Sequence, residues 1–198
     1  MTVAATIDTA AARRAMIDSQ LRVSGVNDEA VLAAMTAVPR EDYVPAAARG
    51  HAYIDRSIPL DGGHALPAPL VQGMMLATAA PKAGERVLVI GCGSNYLPAL
   101  VEAMGASVEV VTAAEAAAGK AGSAGFSLLL IDGAIEQLPA SLVDALADGG
   151  RVVTGLLQRG VTGLASGTKI GGNVKLTPLA DIGIPALAEF AAPKSWSF

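Results

Sequence analysis

Between Arg86 and Met104 the pattern of apolar and polar positions changes period. Val87 to Ile90 form an unbroken apolar run, and Gly91 and Gly93 follow at once. Leu97, Leu100, Val101 and Met104 then recur at i, i+3, i+4 and i+7, with Pro98 in the first turn, where a missing N–H costs little. The run predicts a strand buried on both faces, the usual state of a central parallel strand. Strand, glycine turn and helix are how an open α/β sheet builds a nucleotide cradle. Glycine lets the backbone approach a ligand, and the helix N-terminus offers free N–H groups.

The pattern on either side extends this picture. Residues 6–21 predict a helix with Ala10, Ile17 and Leu21 on one side. Asn27 is the expected N-cap of a second helix, whose stripe is Val31, Leu32, Met35 and Val38 and whose end is set by Pro39. Residues 40–59 have no clean period. A turn-rich stretch, 59–69, leads to a third helix with Leu70, Val71, Met74, Met75 and Thr78 on one face, closed by Pro81 and Gly84. After the glycine turn come a second strand, Ser107–Thr112, and the segment 113–125, alanine- and glycine-rich and without a strand. A third strand, 127–131, ends at Asp132-Gly133. Helix 139–146, the turn Asp148-Gly-Gly150 and strand 151–157 follow, and then antiparallel strands at 161–170, 173–180 and near 195–198. The expected fold class is α/β, with a mostly parallel central sheet, helices on both faces, an N-terminal helical arm and antiparallel C-terminal strands. Residues 1–80 form the arm and a loop region, and 81–198 the core, as one compact unit.

Composition narrows the function. The chain is 52% hydrophobic and 16% charged, which suits a large core and excludes disorder. No run approaches the roughly 20 apolar residues needed to span a bilayer, and the first residues lack the basic start and leucine-rich core of a signal peptide. A single cysteine, Cys92, forms no internal disulfide and fits a reducing cytoplasm. With net charge −4, scattered Lys and Arg and 4% aromatics, there is no electrostatic or stacking footprint for nucleic acid. No His/Cys/Glu grouping has metal-ligand spacing, and no Gly-x-Ser-x-Gly elbow occurs.

Several stretches, in order along nearly the whole chain, resemble the protein-L-isoaspartate O-methyltransferases, particularly the bacterial branch. They are Met16-Ile-Asp-Ser-Gln-Leu-Arg22, Ala37-Val-Pro-Arg-Glu41, Tyr43-Val-Pro45, Tyr53-Ile-Asp55, Ser57-Ile-Pro59 with Gly63, and Val87-Leu88 with Gly91-Cys-Gly93. Asp132-Gly-Ala134, Asp148-Gly-Gly-Arg-Val152 and Pro178-Leu-Ala-Asp181 with Phe190 and Phe198 complete them. The resemblance implies a Rossmann-like class I methyltransferase fold. It implies transfer of a methyl group from S-adenosylmethionine to the α-carboxylate of isoaspartyl residues in damaged proteins. Such a displacement depends on alignment and a dry site, because the nucleophile is already ionised.

Against the family's pattern the chain departs at four places. Val89 stands where the resemblance places an acid, and Asn95 where it places a glycine. The second strand ends at Thr112 instead of an acid, so a single hydroxyl replaces a charge-assisted ribose contact. Thirteen residues, 113–125, stand where the family has a helix, a further strand and an adenine-contacting loop. Pro67 occupies the position of a substrate-loop serine, with Asp61 and His64 nearby as replacements. The donor-site candidates are therefore Gly91, Cys92, Gly93, Asn95, Thr112 and Asp132, and the substrate-side candidates Asp61 and His64. Blander roles stand beside these. Gly91-x-Gly93 is equally a tight packing turn, Cys92 a small apolar filler, Asp132 the first residue of a turn, and His64 a solvated surface residue. Three functions follow: an isoaspartyl methyltransferase with a reduced donor pocket, an inactive relative acting as a binding, structural or oligomer-forming protein, and, least, a dinucleotide oxidoreductase. Loss of the covering strand predicts an exposed sheet edge that a second copy or a protein partner covers.

Overall fold

The computed structural model describes residues 8–192. α1 (Thr9–Met16) starts at Asp8, whose carboxylate accepts from the Ala11 N–H. The predicted helix 6–21 is not one α-helix: Ile17–Leu21 widens into a π-turn, and Arg22–Ser24 tightens into a 3₁₀ turn closed by Gly25 at φ 89°. Met16, Ile17 and Leu21 are buried, but Arg13 takes the inward place beside Tyr53 and Glu41, and Ala10 is left exposed. α2 (Glu29–Ala37) is capped by Asp28, not Asn27. The Asp28 carboxylate accepts from the Val31 N–H at 3.0 Å, and its charge suits the positive helix end better than an amide does. Val38 leaves in the extended region ahead of Pro39, as the residue before a proline prefers.

Two 3₁₀ turns, Arg40–Tyr43 and Ala46–His51, fill the aperiodic stretch. β1 (Ile58–Pro59) and β2 (Ala65–Leu66) then pair antiparallel and pinch off a loop at 60–64. α3 (Pro69–Ala79) follows, with Pro69 in its first turn and Ala80 left-handed at its end.

The core alternates β3 (Arg86–Gly91), α4 (Tyr96–Ala103), β4 (Ser107–Thr112), α5 (Ala113–Ala117), β5 (Phe126–Ile135), α6 (Ala140–Ala145) and β6 (Leu146–Gln158). β7 (Val161–Ile170), β8 (Asn173–Val174) and β9 (Thr177–Asp181) complete it. The strand order is β4-β3-β5-β6-β7-β8, with β9 also on β7. The first four strands are parallel, and the rest pair antiparallel. The chain crosses from β3 outward to β4 through α4, then back over β3 to β5 through 113–125. Right-handed crossovers in opposite directions place α4 and α5 on opposite faces. One core cluster runs from Met16 to Phe190.

The 113–125 segment contains no strand, as expected, and the dozen residues that a crossover requires are almost all it has. Two expectations change. β5 does not stop at Ile131: a register shift takes up Asp132-Gly133 as a bulge, and Ala134 pairs onward with Gly155. The predicted strand 173–180 is broken at Lys175-Leu176, so β8 pairs the end of β7 and β9 its beginning. The strand expected near 195–198 lies outside the described residues.

Candidate functional site

β3 lies between β4 and β5, and the chain leaves it in one direction and returns on the other side. This is the switch point of an open parallel sheet, where ligands settle beyond the carboxyl ends of the strands. Gly93 there has φ +94°, whereas Asn95 sits at φ −92°. The conformation, not the space, requires glycine, since a Cβ at 93 would meet His64 Nδ1 and Leu60 only at ordinary contact distance. Asn95 therefore does not supply the positive φ that its type permits. Nor does its side chain cap α4. Ser94 does this instead: its hydroxyl donates to the Tyr43 carbonyl and accepts from the Tyr96 N–H. A cleft of about 690 Å³ opens above the turn, lined by Tyr43, Leu60, Asp61, Gly93, Ser94 and Asn95 among others. A second concavity, about 740 Å³, lies beside the β6–β7 hairpin, away from the glycine turn.

Beneath the turn is a buried polar chain. Arg40 is fully enclosed, stacked over the Tyr96 ring, and donates to the carbonyls of Ala52 and Pro67 and, at 2.5 Å, to Gln72 Oε1. Gln72 Nε2 in turn donates to both oxygens of Asp132, at 3.1 and 3.2 Å, and the Cys92 thiol donates to Asp132 Oδ2 at 3.1 Å. Asp132 is thus neither the first residue of an exposed turn nor a residue of the open cleft; it has no exposed surface. Burial pushes its carboxyl up to about 6, against the opposing pull of Cys92, Gln72 and Arg40. Burial and then Asp132 raise the Cys92 thiol, so Cys92 is a buried hydrogen-bond donor and not merely an apolar filler. Val89 is fully buried in the strand below.

The remaining candidates lie at the rim. Thr112 ends β4 exposed, and its hydroxyl and N–H are committed to a capping box with Glu115 at the start of α5. Asp61 is exposed on the cleft wall. His64 is not a solvated residue: Nε2 lies 2.7 Å from Glu189 Oε1, and the ring is about three-quarters enclosed. Glu189 belongs to a tail segment laid over the end of β5. There Ala134 N–H donates to the Pro185 carbonyl, Leu187 N–H donates to the Ala134 carbonyl, and Leu187 fills the space that a Cβ at Gly133 would need. The tail also packs against α5.

Sequence reasoning did not single out Arg40, Gln72, Ser94 or Glu189. Gln72 carried a signal, one polar residue among Leu70, Val71, Met74 and Met75. Glu189 carried none, because its partner is 125 residues away.

A parallel sheet whose central strand enters a helix through a glycine turn, continued by antiparallel strands on one side, fits the class I methyltransferase fold. The chain belongs to the protein-L-isoaspartate(D-aspartate) O-methyltransferase family, whose model matches residues 11–116. The protein-L-isoaspartate O-methyltransferase of Methanoculleus marisnigri is 30% identical over 203 residues, covering 90% of this chain and 92% of that one. The enzyme of that name from Koribacter versatilis is 34% identical over 165 residues, 71% of this chain and 74% of its own. Among solved structures, a putative protein-L-isoaspartate O-methyltransferase from Plasmodium falciparum, in complex with S-adenosyl-L-homocysteine, superposes with TM-score 0.75. It is 18% identical and covers 93% of this chain and 100% of its own. The family match ends inside α5.

Proposed function

We propose that this chain is a cytoplasmic, S-adenosylmethionine-dependent methyltransferase acting on isoaspartyl carboxylates of damaged proteins. The observation that carries the reading is Gly93, left-handed at the switch point between β3 and β5 and under a cleft of about 690 Å³. That volume lies within the roughly 300–1,000 Å³ typical of small-molecule sites, and a glycine turn leading into a helix suits the donor's polar end. The backbone of Gly91, Cys92, Gly93 and Asn95 would hold the donor, with Thr112 at the ribose end and Asp132 below. When bound, the donor supplies an electrophilic sulfonium methyl.

The chain's own residues do the rest by placement. The isoaspartyl carboxylate is ionised at neutral pH, so the site needs alignment and exclusion of water more than proton transfer. His64, tethered to Glu189, closes the loop at 60–64 over the glycine turn, and Asp61 marks the rim from which a polypeptide enters. Calorimetric titration with S-adenosylhomocysteine tests the reading, together with labelled methyl transfer to an isoaspartyl peptide. Micromolar binding and ester formation are expected. No heat at millimolar ligand overturns it.

A second reading, an inactive relative that binds without turnover, draws on Thr112. Its hydroxyl is already engaged by Glu115, so the ribose loses even the single hydrogen bond a threonine offers, ~1 kcal/mol of affinity. Binding of S-adenosylhomocysteine without ester formation selects this second reading.

A further inference from the structure

We infer that His64 and Glu189 form a carboxylate receptor at the glycine turn: Glu189 positions the ring, and the imidazolium Nδ1–H of His64 binds a ligand carboxylate together with a proton from solvent. The inference deepens the proposed function and rests on it. Two carboxylates enter that reaction, the α-carboxylate of the donor and the reacting group of the isoaspartyl residue.

The ring is fixed from two sides. β1 and β2 pair at the base of the loop at 60–64, and the Leu60 N–H closes the loop by donating to the His64 carbonyl at 2.9 Å. Nε2 lies 2.7 Å from Glu189 Oε1. Nδ1 faces the turn. It is the atom nearest to where a Cβ at Gly93 would stand, at 3.6 Å, and it has no hydrogen-bond partner among the described residues. About a quarter of the side chain stays open to solvent, beside the cleft residues Leu60, Asp61 and Gly93.

The tail that carries Glu189 is clamped over β5. Leu187 N–H donates to the Ala134 carbonyl, and the N–H groups of Glu136 and Gln137 donate to the Phe190 carbonyl. Glu189 Oε2 is buried without a partner, so His64 is the group that meets its charge. Burial works against that charge, but the backbone and His64 outweigh it and hold the carboxyl below its ordinary range. The other charged groups at the cleft are acids, Asp61 from the ring's own loop and Asp42 from the turn at 40–43. Among the described residues no Lys or Arg lines it, and the glycine turn brings no charge. A neutral ring that gives its Nε2 proton to Glu189 leaves Nδ1 a bare acceptor, which repels a carboxylate. Protonation turns Nδ1 into a donor and sets the cation between two carboxylates.

The test is calorimetry of the full chain at pH 8, where an ordinary imidazole is neutral, in two buffers of different ionisation enthalpy, so that the heat reports proton uptake. One arm titrates S-adenosylhomocysteine, which keeps the donor's carboxylate. The other titrates an end-capped isoaspartyl peptide with S-adenosylhomocysteine already present. Proton uptake is expected, and the arm that shows it names the carboxylate. His64→Gln is expected to abolish the uptake and to weaken that ligand roughly tenfold, as loss of a charge-assisted hydrogen bond implies. Glu189→Gln, which keeps the shape, is expected to weaken the same ligand at pH 8 and less so at pH 6. Binding without uptake in either arm, or uptake that persists in His64→Gln, overturns the inference and leaves the function standing. Binding of neither ligand by the wild type overturns both.

Discussion

At the scale of single residues, Asp132 is kept ionised at a cost. Its carboxyl, 3.8 when unperturbed, is held up to about 6 by burial, so between these values the folded chain binds the extra proton. Stability from this group is therefore fully present below pH 3.8 and lost as pH rises through 6, a difference of ~3 kcal/mol. Asp132→Asn is expected to raise the thermal midpoint at pH 8 by several degrees and to lose that advantage by pH 4, as thermal unfolding at the two pH values reads directly. A variant less stable than wild type at pH 8 contradicts it. The glycine turn at Gly91 and Gly93 was legible in the sequence, because glycines directly after an apolar run mark the end of a strand. The Arg40–Gln72–Asp132 chain was not legible, since its links span 32 and 60 residues and nothing local announces them.

At the scale of elements, period sufficed for most helices and strands, and capping chemistry corrected the boundaries, as at Asp28. The opposite end of the parallel strands shows how those elements are held in place. Glu85, just before β3, accepts from Ser127 at the start of β5 and from both Nη groups of Arg151 in β6. Burial works against its charge, but these bonds and the Lys82 N–H outweigh it and hold the carboxyl down to about 2. Because the folded value lies below the unfolded 4.5, the contribution is present above pH 4.5 and is lost as pH falls through about 2. Glu85→Gln is expected to lower the urea midpoint clearly at pH 6 and scarcely at all at pH 2. An equal deficit at both values shows a packing effect and not an ionic one.

For the whole molecule, the strandless 113–125 connection decides the exposed edge. It leaves β4 as the edge of the sheet, with Val110 45% exposed and Glu109 tied to Ser123 alongside. Charged side chains blunt such edges, yet an exposed valine on one invites pairing. Sedimentation velocity is expected to show self-association of the wild type at high concentration, reduced in Val110→Lys. A strict monomer at every concentration refutes it. Alongside that connection the tail at 188–190 packs on α5, and Glu189 within it meets His64.

The sequence alone determined the α/β order, the glycine turn, the strandless 113–125 connection and the family, because each is written in local period, turn chemistry or motif spacing. Tertiary structure decided what each polar residue does. Whether Thr112 faces a ligand or caps α5, whether Asp132 is wet or enclosed, and whether His64 is free or paired all depend on partners distant in the chain. Burial and hydrogen bonding are properties of the packed whole, and no window of neighbouring residues contains them.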